Sequence, residues 1–117
     1  MSDCLFCDIV AGDEPAEIVH QTDTTVAFKD IFPAAPLHVL IVPRRHIADA
    51  SVIEASDGDV LADMLMAARV VAEDAGVAGP DRGYRLMFNV GPDAMNSVAH
   101  LHLHVIGGKS LGGHGIA

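Results

Sequence analysis

"AHLHLHVIGG", residues 99–108, alternates histidine with an apolar residue three times over. Successive side chains of a strand point to opposite faces, so this pattern predicts a β-strand over 99–108. His100, His102 and His104 then share one face, spaced roughly 6.5–7 Å apart along the strand. Leu101, Leu103 and Val105 share the other and face a core. One histidine in such a place is most simply a half-exposed strand residue. Three on one face ask for chemistry, because clustered imidazoles repel one another when protonated and need partners when neutral. A single metal held by all three is awkward, since same-face residues spread along a strand while ligands must each approach to about 2 Å. A division of labour fits better: one imidazole acts as a nucleophile while the others orient it and polarise its substrate. Phosphorus is a natural electrophile for such a nucleophile.

Working outward from that strand, "IVHQ" (18–21) and "TTVAFKDI" (24–31), joined by "TD", read as an antiparallel pair. Val26, Phe28 and Asp30 lie on one face of the second. "FPAAP" interrupts the sheet, because proline cannot donate to a ladder. "LHVLIV" (37–42), stopped by Pro43, is a further strand with His38, Leu40 and Val42 on one face and Leu37, Val39 and Ile41 on the other. Both faces are largely apolar, so it is predicted to be central. "YRLMFNV" (84–90) completes the strands. "DCLFCDIVA" (3–11) reads as a short helix with Asp3 as N-cap and Gly12 past its end. From Ser56 the period changes. "SDGD" resembles a capping box with Ser56 as N-cap, and Val60, Leu61, Met64, Leu65, Ala68, Val71 and Ala72 follow helical spacing to a stop near Gly76. The expected fold is α+β: an antiparallel sheet of about five strands, one long helix and one short N-terminal helix.

The chain has 117 residues, a size that suits a single domain over 1–117. Half of the residues are apolar and there is no Trp, so the core is built mostly from aliphatic side chains. The formal charge of −9 argues against nonspecific nucleic-acid binding, which rests on neutralising phosphates. It leaves room for a small phosphate-bearing ligand at a local site. No apolar run approaches the roughly 18 residues of a membrane span. The first ten residues lack the basic and long apolar regions of a secretion signal, so a cytoplasmic location is expected. In that setting Cys4 and Cys7 are not expected to form a structural disulfide. Their C-x-x-C also lacks the preceding strand of a thioredoxin-type motif, which leaves metal ligation if two more ligands exist.

His100-Leu-His102-Leu-His104-Val-Ile resembles the signature of the histidine triad (HIT) superfamily. "FKDI", "PLHVLIVP", "GYRLMFNVG" and "NSVAHLHLHVIGG" follow in the order of its histidine triad nucleotide-binding branch. The resemblance covers roughly residues 4–108 and leaves 109–117 as an irregular tail. It implies a HIT-like fold and a hydrolase acting on a purine nucleotide of AMP or GMP type, cleaving a nucleoside phosphoramidate or related nucleotide at the α-phosphorus. By position, His102 matches the nucleophile that becomes a nucleotidyl-histidine, and His104 the contact to phosphate oxygens. His100 and His38 match supporting imidazoles, and Ser97 the residue that assists the leaving group. Asp30 matches the carboxylate that binds the ribose hydroxyls; on its own it reads as a turn residue before Pro33. Asn89 matches a polar contact in the phosphate pocket. Leu5, Phe6, Ile9, Phe28 and Ile31 match the apolar walls around the base.

The resemblance also implies a metal. Relatives with an N-terminal C-x-x-C bind zinc through the two cysteines, a histidine after the "VP" strand and the first triad histidine; the matching residues are Cys4, Cys7, His46 and His100. Such a closed Cys₂His₂ set is structural, and the chemistry requires no cofactor. The relatives pair as dimers with a continuous sheet, which implies a homodimer through the long helix and "GYRLMFNV". Two departures stand out. Where the family carries paired glycines before the triad, this chain has Ala94-Met95, expected to crowd the phosphate approach or reshape access for the leaving group. The tail "GGHGIA" lacks the aromatic segment of many relatives. Competing readings are a nucleotide-binding or scaffold protein with little hydrolysis, a dinucleoside polyphosphate hydrolase, and a Cys/His metal-storage or metal-sensing module.

Overall fold

The computed structural model describes residues 2–112. Five strands form one antiparallel sheet: β1 (Ile18–Gln21), β2 (Thr25–Lys29), β3 (Leu37–Pro43), β4 (Tyr84–Met87) and β5 (Leu103–Gly107). Their order across the sheet is β1-β2-β3-β5-β4, which makes β3 central, as its two apolar faces predict. The helix α1 (Leu5–Ala11) and the longer α2 (Gly58–Asp74) complete the α+β fold.

The alternation along the strands assigns one apolar set to each helix. Ala27, Val39, Ile41, Leu103 and Val105 pack with Met64, Ala67, Ala68 and Val71 of α2. Val26, Phe28, Leu40 and Val42 project to the other face and pack with Phe6 and Ile9 of α1. The sheet is therefore a middle layer, and α1 covers the face toward which His38 is directed. No helix among the described residues is long and apolar enough to cross a membrane.

Four boundaries differ from expectation. The ladder of β5 begins at Leu103, not Ala99. Leu101 N–H donates to Ile47 C=O at 2.6 Å, so the chain over 99–102 is tied to the segment after β3 instead of to the sheet. His100 and His102 thus precede the strand, and only His104 of the three lies in it. The fourth strand likewise stops at Met87, three residues short. At the start of α1 the cap is Cys4, not Asp3: its Sγ accepts from Cys7 N–H at 3.3 Å. Gly12 closes that helix in the left-handed region (φ +84°), where a side chain would be strained. The capping box belongs to Glu54 and Asp57 on the 3₁₀ turn Ala55–Asp57, and Ser56 caps nothing. Buried Asp57 accepts from Glu54 N–H and from Arg45, interactions that hold its carboxyl below the usual range. The expected tail has no regular structure over 109–112, and its remainder, 113–117, lies outside the described residues.

Candidate active site

A cleft of about 490 Å³ opens between α1, the end of β2 and the loop before the triad. It gathers residues from distant parts of the sequence: Leu5, Phe6 and Ile9 from α1, Phe28, Asp30 and Ile31 from β2 and its exit, and Asn89, Ser97, His102 and His104. These are the sequence-predicted wall, ribose, phosphate and triad positions. His38 and His100 are buried behind the cleft, and His46 lies apart from it.

Each histidine is fixed by a different partner, and the partner decides which ring nitrogen carries hydrogen. His102 Nδ1 lies 2.7 Å from His100 C=O. A carbonyl only accepts, so Nδ1 is the N–H and Nε2 keeps its lone pair. Buried beside Phe6 (ring centroids 5.1 Å), His102 offers that lone pair in a partly dry site. For His104 the order is reversed, and the reason begins one residue further back. Ala34 N–H donates to His38 Nδ1 at 2.9 Å, so His38 carries its hydrogen on Nε2. His38 Nε2–H then donates to His104 Nδ1 at 2.9 Å, and His104 is left with an N–H on Nε2. One triad residue presents an acceptor and the other a donor. Burial, with His102 and His38 alongside, lowers the His104 imidazole to about 4, and Asp30 offsets this only in part. His104 is a neutral donor at pH 7.

Asp30 combines a turn residue's hydrogen bond with a place in the cleft. Oδ1 accepts from Phe32 N–H at 2.8 Å, as a turn residue's would, while Oδ2 lies 3.4 Å from His38 Nε2 and lines the cleft. A carboxylate has lone pairs left for two hydroxyls.

Of the two parts expected of His100, its ring takes the one beside Cys4, Cys7 and His46. Fully buried, it places Nε2 2.9 Å from Pro43 C=O, so Nδ1 is the free nitrogen, and it lies 3.3 and 3.4 Å from the Sγ atoms of Cys4 and Cys7. Its ring therefore joins a separate cluster, and what it lends to His102 is its backbone carbonyl. His46 Nδ1, 3.3 Å from Cys7 Sγ, completes that cluster, whose four donor atoms lie within 4.8 Å of one another. A tetrahedral zinc with bonds of about 2.0–2.3 Å has ligand-to-ligand edges of roughly 3.5 Å. The donor set and its spacing fit that ion. Burial foremost, and the neighbouring Cys4 and Asp8, raise the Cys7 thiol to about 11, whereas His100 is shifted down by burial and is neutral. Asp30, His38 and His104 also bring donor atoms within 4.8 Å. They do not fit a metal: Ala34 N–H occupies His38 Nδ1, so Nε2 carries the hydrogen that a metal would have to replace.

Among the lining residues to which sequence reasoning gave no part are Glu14, Lys29, Phe32, Leu40 and Val98. Phe32 sits in a Pro-flanked turn that reads only as a sheet breaker. Met95, singled out as a departure from glycine expected to crowd the phosphate approach or reshape access for the leaving group, lines the same cleft.

Residues 3–115 match the family described as "Scavenger mRNA decapping enzyme C-term binding". The chain is 37% identical over 108 residues to the purine nucleoside phosphoramidase of Escherichia coli K12, a match covering 92% of this chain and 89% of that one. It is similar in structure to a HIT family hydrolase from Clostridium thermocellum, with a TM-score of 0.90 and 44% identity over 96% of both chains. A histidine triad nucleotide-binding protein from Candida albicans superposes with a TM-score of 0.82 and 33% identity, over 92% of this chain and 76% of that one. The triad, the antiparallel sheet that carries it and these likenesses converge: the chain belongs to the histidine triad (HIT) superfamily.

Proposed function

We propose that the protein is a purine-nucleotide hydrolase that cleaves the P–N bond of nucleoside phosphoramidates, or a P–O bond in related nucleotides, at the α-phosphorus. The observation that carries this reading is the 2.7 Å contact between His102 Nδ1 and His100 C=O, which leaves a nucleophilic lone pair on Nε2. In the first step Nε2 attacks phosphorus. The Nε2–P bond forms, the bond to the leaving nitrogen breaks with its electron pair, and that nitrogen takes a proton by way of Ser97. The positive charge then on the His102 ring is shared with the His100 carbonyl through Nδ1–H. In the second step water attacks phosphorus, the Nε2–P bond breaks, its electron pair returns to Nε2, and the proton lost by water replaces the one given to the amine. The sum is phosphoramidate plus water giving nucleotide plus amine.

His104 Nε2–H holds a phosphate oxygen, and His38 is a positioning residue acting through His104. Asp30 takes the ribose hydroxyls, Asn89 contacts the phosphate, and Leu5, Phe6, Ile9, Phe28 and Ile31 enclose an AMP- or GMP-type base. Cys4, Cys7, His46 and His100 would hold a structural zinc, which fastens α1 to the segment before β5 and supplies nothing to bond breaking. The edge strand β4 and the exposed Leu65 and Met66 of α2 suit a homodimer, and we assign the protein to the cytoplasm.

Incubation with an adenosine phosphoramidate followed by intact-mass analysis tests the reading. A trapped adduct of one AMP is expected, lost in His102→Ala together with turnover by about 10³-fold or more. A wild-type protein that binds AMP yet never turns over a phosphoramidate contradicts it and favours a nucleotide-binding or scaffold role.

A further inference from the structure

Three large apolar side chains are set apart by exposure: Ile31 at 81%, Phe32 at 82% and Met95 at 85%, against 55% for Val52 and Met66, the next highest among the described residues. All three line the same cleft, although they come from two loops far apart in sequence. Scattered exposed hydrophobics need no explanation, but a group at the mouth of one site is a binding surface. Ile31 is already placed in the base wall. Phe32 and Met95 have no such assignment.

Met95 also carries a conformational cost. It ends the 3₁₀ turn Pro92–Ala94 at φ +64°, the only non-glycine with positive φ among the described residues. Glycine takes that conformation freely, and the turn itself needs only the backbone, since Met95 N–H donates to Pro92 C=O at 2.9 Å. A long side chain kept in a strained backbone conformation and held almost wholly in solvent gains nothing for packing. Such strain is the mark of a functional constraint. Two residues further along the same loop is Ser97, in the same cleft.

The inner wall of the cleft is built separately, from Phe6, Ile9 and Phe28, all buried. A base seated on it leaves the open mouth to whatever lies on the other side of the phosphorus. We infer, resting on the hydrolase reading above, that Phe32 and Met95 form an apolar mouth for the leaving group, and that the preferred substrates are nucleoside phosphoramidates of amines bearing a bulky apolar or aromatic group. A polarisable thioether and a phenyl ring both favour an aromatic partner.

The test compares two adenosine phosphoramidates, one of naphthylmethylamine and one of methylamine, with the wild type, Met95→Gly and Phe32→Ser. The wild type is expected to favour the aromatic amide, and each substitution to cut the ratio of the two kcat/KM values about tenfold. Met95→Gly relieves the positive-φ strain, so its Tm is expected to stay level or rise, separating this loss from damage to the fold. A ratio unchanged in both variants overturns the proposal. So does a ratio that rises when Met95 is removed, which would mean crowding, or a shift in adenosine-against-guanosine preference instead, which would mean contact with the base. A wild type that cleaves both amides without preference overturns the mouth and leaves the hydrolase standing. A wild type that cleaves neither overturns the hydrolase reading and the mouth with it.

Discussion

His100 and His102 are two residues apart, and Phe6 lies edge-on to both rings, with centroids 6.0 and 5.1 Å away. One faces a thiol cluster and the other a substrate-sized cleft. Burial does not separate them, for both are buried. Their hydrogen-bond partners do. Pro43 C=O takes the Nε2–H of His100 and frees Nδ1 toward Cys4 and Cys7, while the carbonyl of His100 takes the Nδ1–H of His102 and frees Nε2. On the proposed function, a shift of one hydrogen from one ring nitrogen to the other separates a metal ligand from a nucleophile. The two regions are joined by the backbone of His100, which gives its ring to one and its carbonyl to the other.

If the thiol cluster is a structural metal site and the cleft the reacting one, they can be broken separately. Cys7→Ser, or a chelator on the wild type, is expected to destabilise the fold by roughly 2–3 kcal/mol, lowering Tm by about 10–15 °C. A chelator-insensitive Tm would remove the metal from the account. His38→Leu strikes the other region. Leucine has no N–H to give His104 Nδ1, so that the donor proposed for phosphate is no longer fixed in place. The expected cost is about 10–100-fold in kcat with a smaller change in KM. A wild-type kcat would show that His104 needs no positioning.

A smaller effect comes from pH. His104 titrates near 4 in the folded chain against an ordinary 6.5, and His100 shifts the same way. The unfolded chain therefore binds these protons first. Stability falls as pH drops from about 6.5 towards 4 and levels off below, where both states carry the proton. The lowered carboxyls of Asp8 and Asp57 act below their ordinary 3.8, outside that window. Urea midpoints measured near neutrality and near pH 5 should drop more for the wild type than for His104→Gln. Equal drops would mean that His104 carries no such shift.

The same contrast governs what could be read from sequence. Alternation assigned Leu101, Leu103 and Val105 to the core, and all three pack there. It also suggested that the three histidines stay together on one strand, and there it failed: the Leu101 N–H bond to Ile47 C=O lifts 99–102 off the ladder. Side-chain period says which face a residue takes, not where its backbone bonds go. The Cys/His cluster joins positions 39, 93 and 96 residues apart. No local pattern encodes such spacing, and only the family resemblance brought it into view. The caps failed for a simpler reason, because several neighbouring residues could serve: Cys4 displaced Asp3, and the Glu54–Asp57 box displaced Ser56. Phe32 was invisible because exposure has no periodic signature, and Met95 was legible only as a departure from the family's glycine.

The central claim is that hydrogen placement on the imidazoles divides their work. It is read most directly by ¹⁵N NMR of the histidine side chains at neutral pH, where long-range couplings report which ring nitrogen is protonated. The account predicts Nδ1–H for His102 and Nε2–H for both His100 and His104. A His102 protonated on Nε2, with no lone pair left for the cleft, would contradict it.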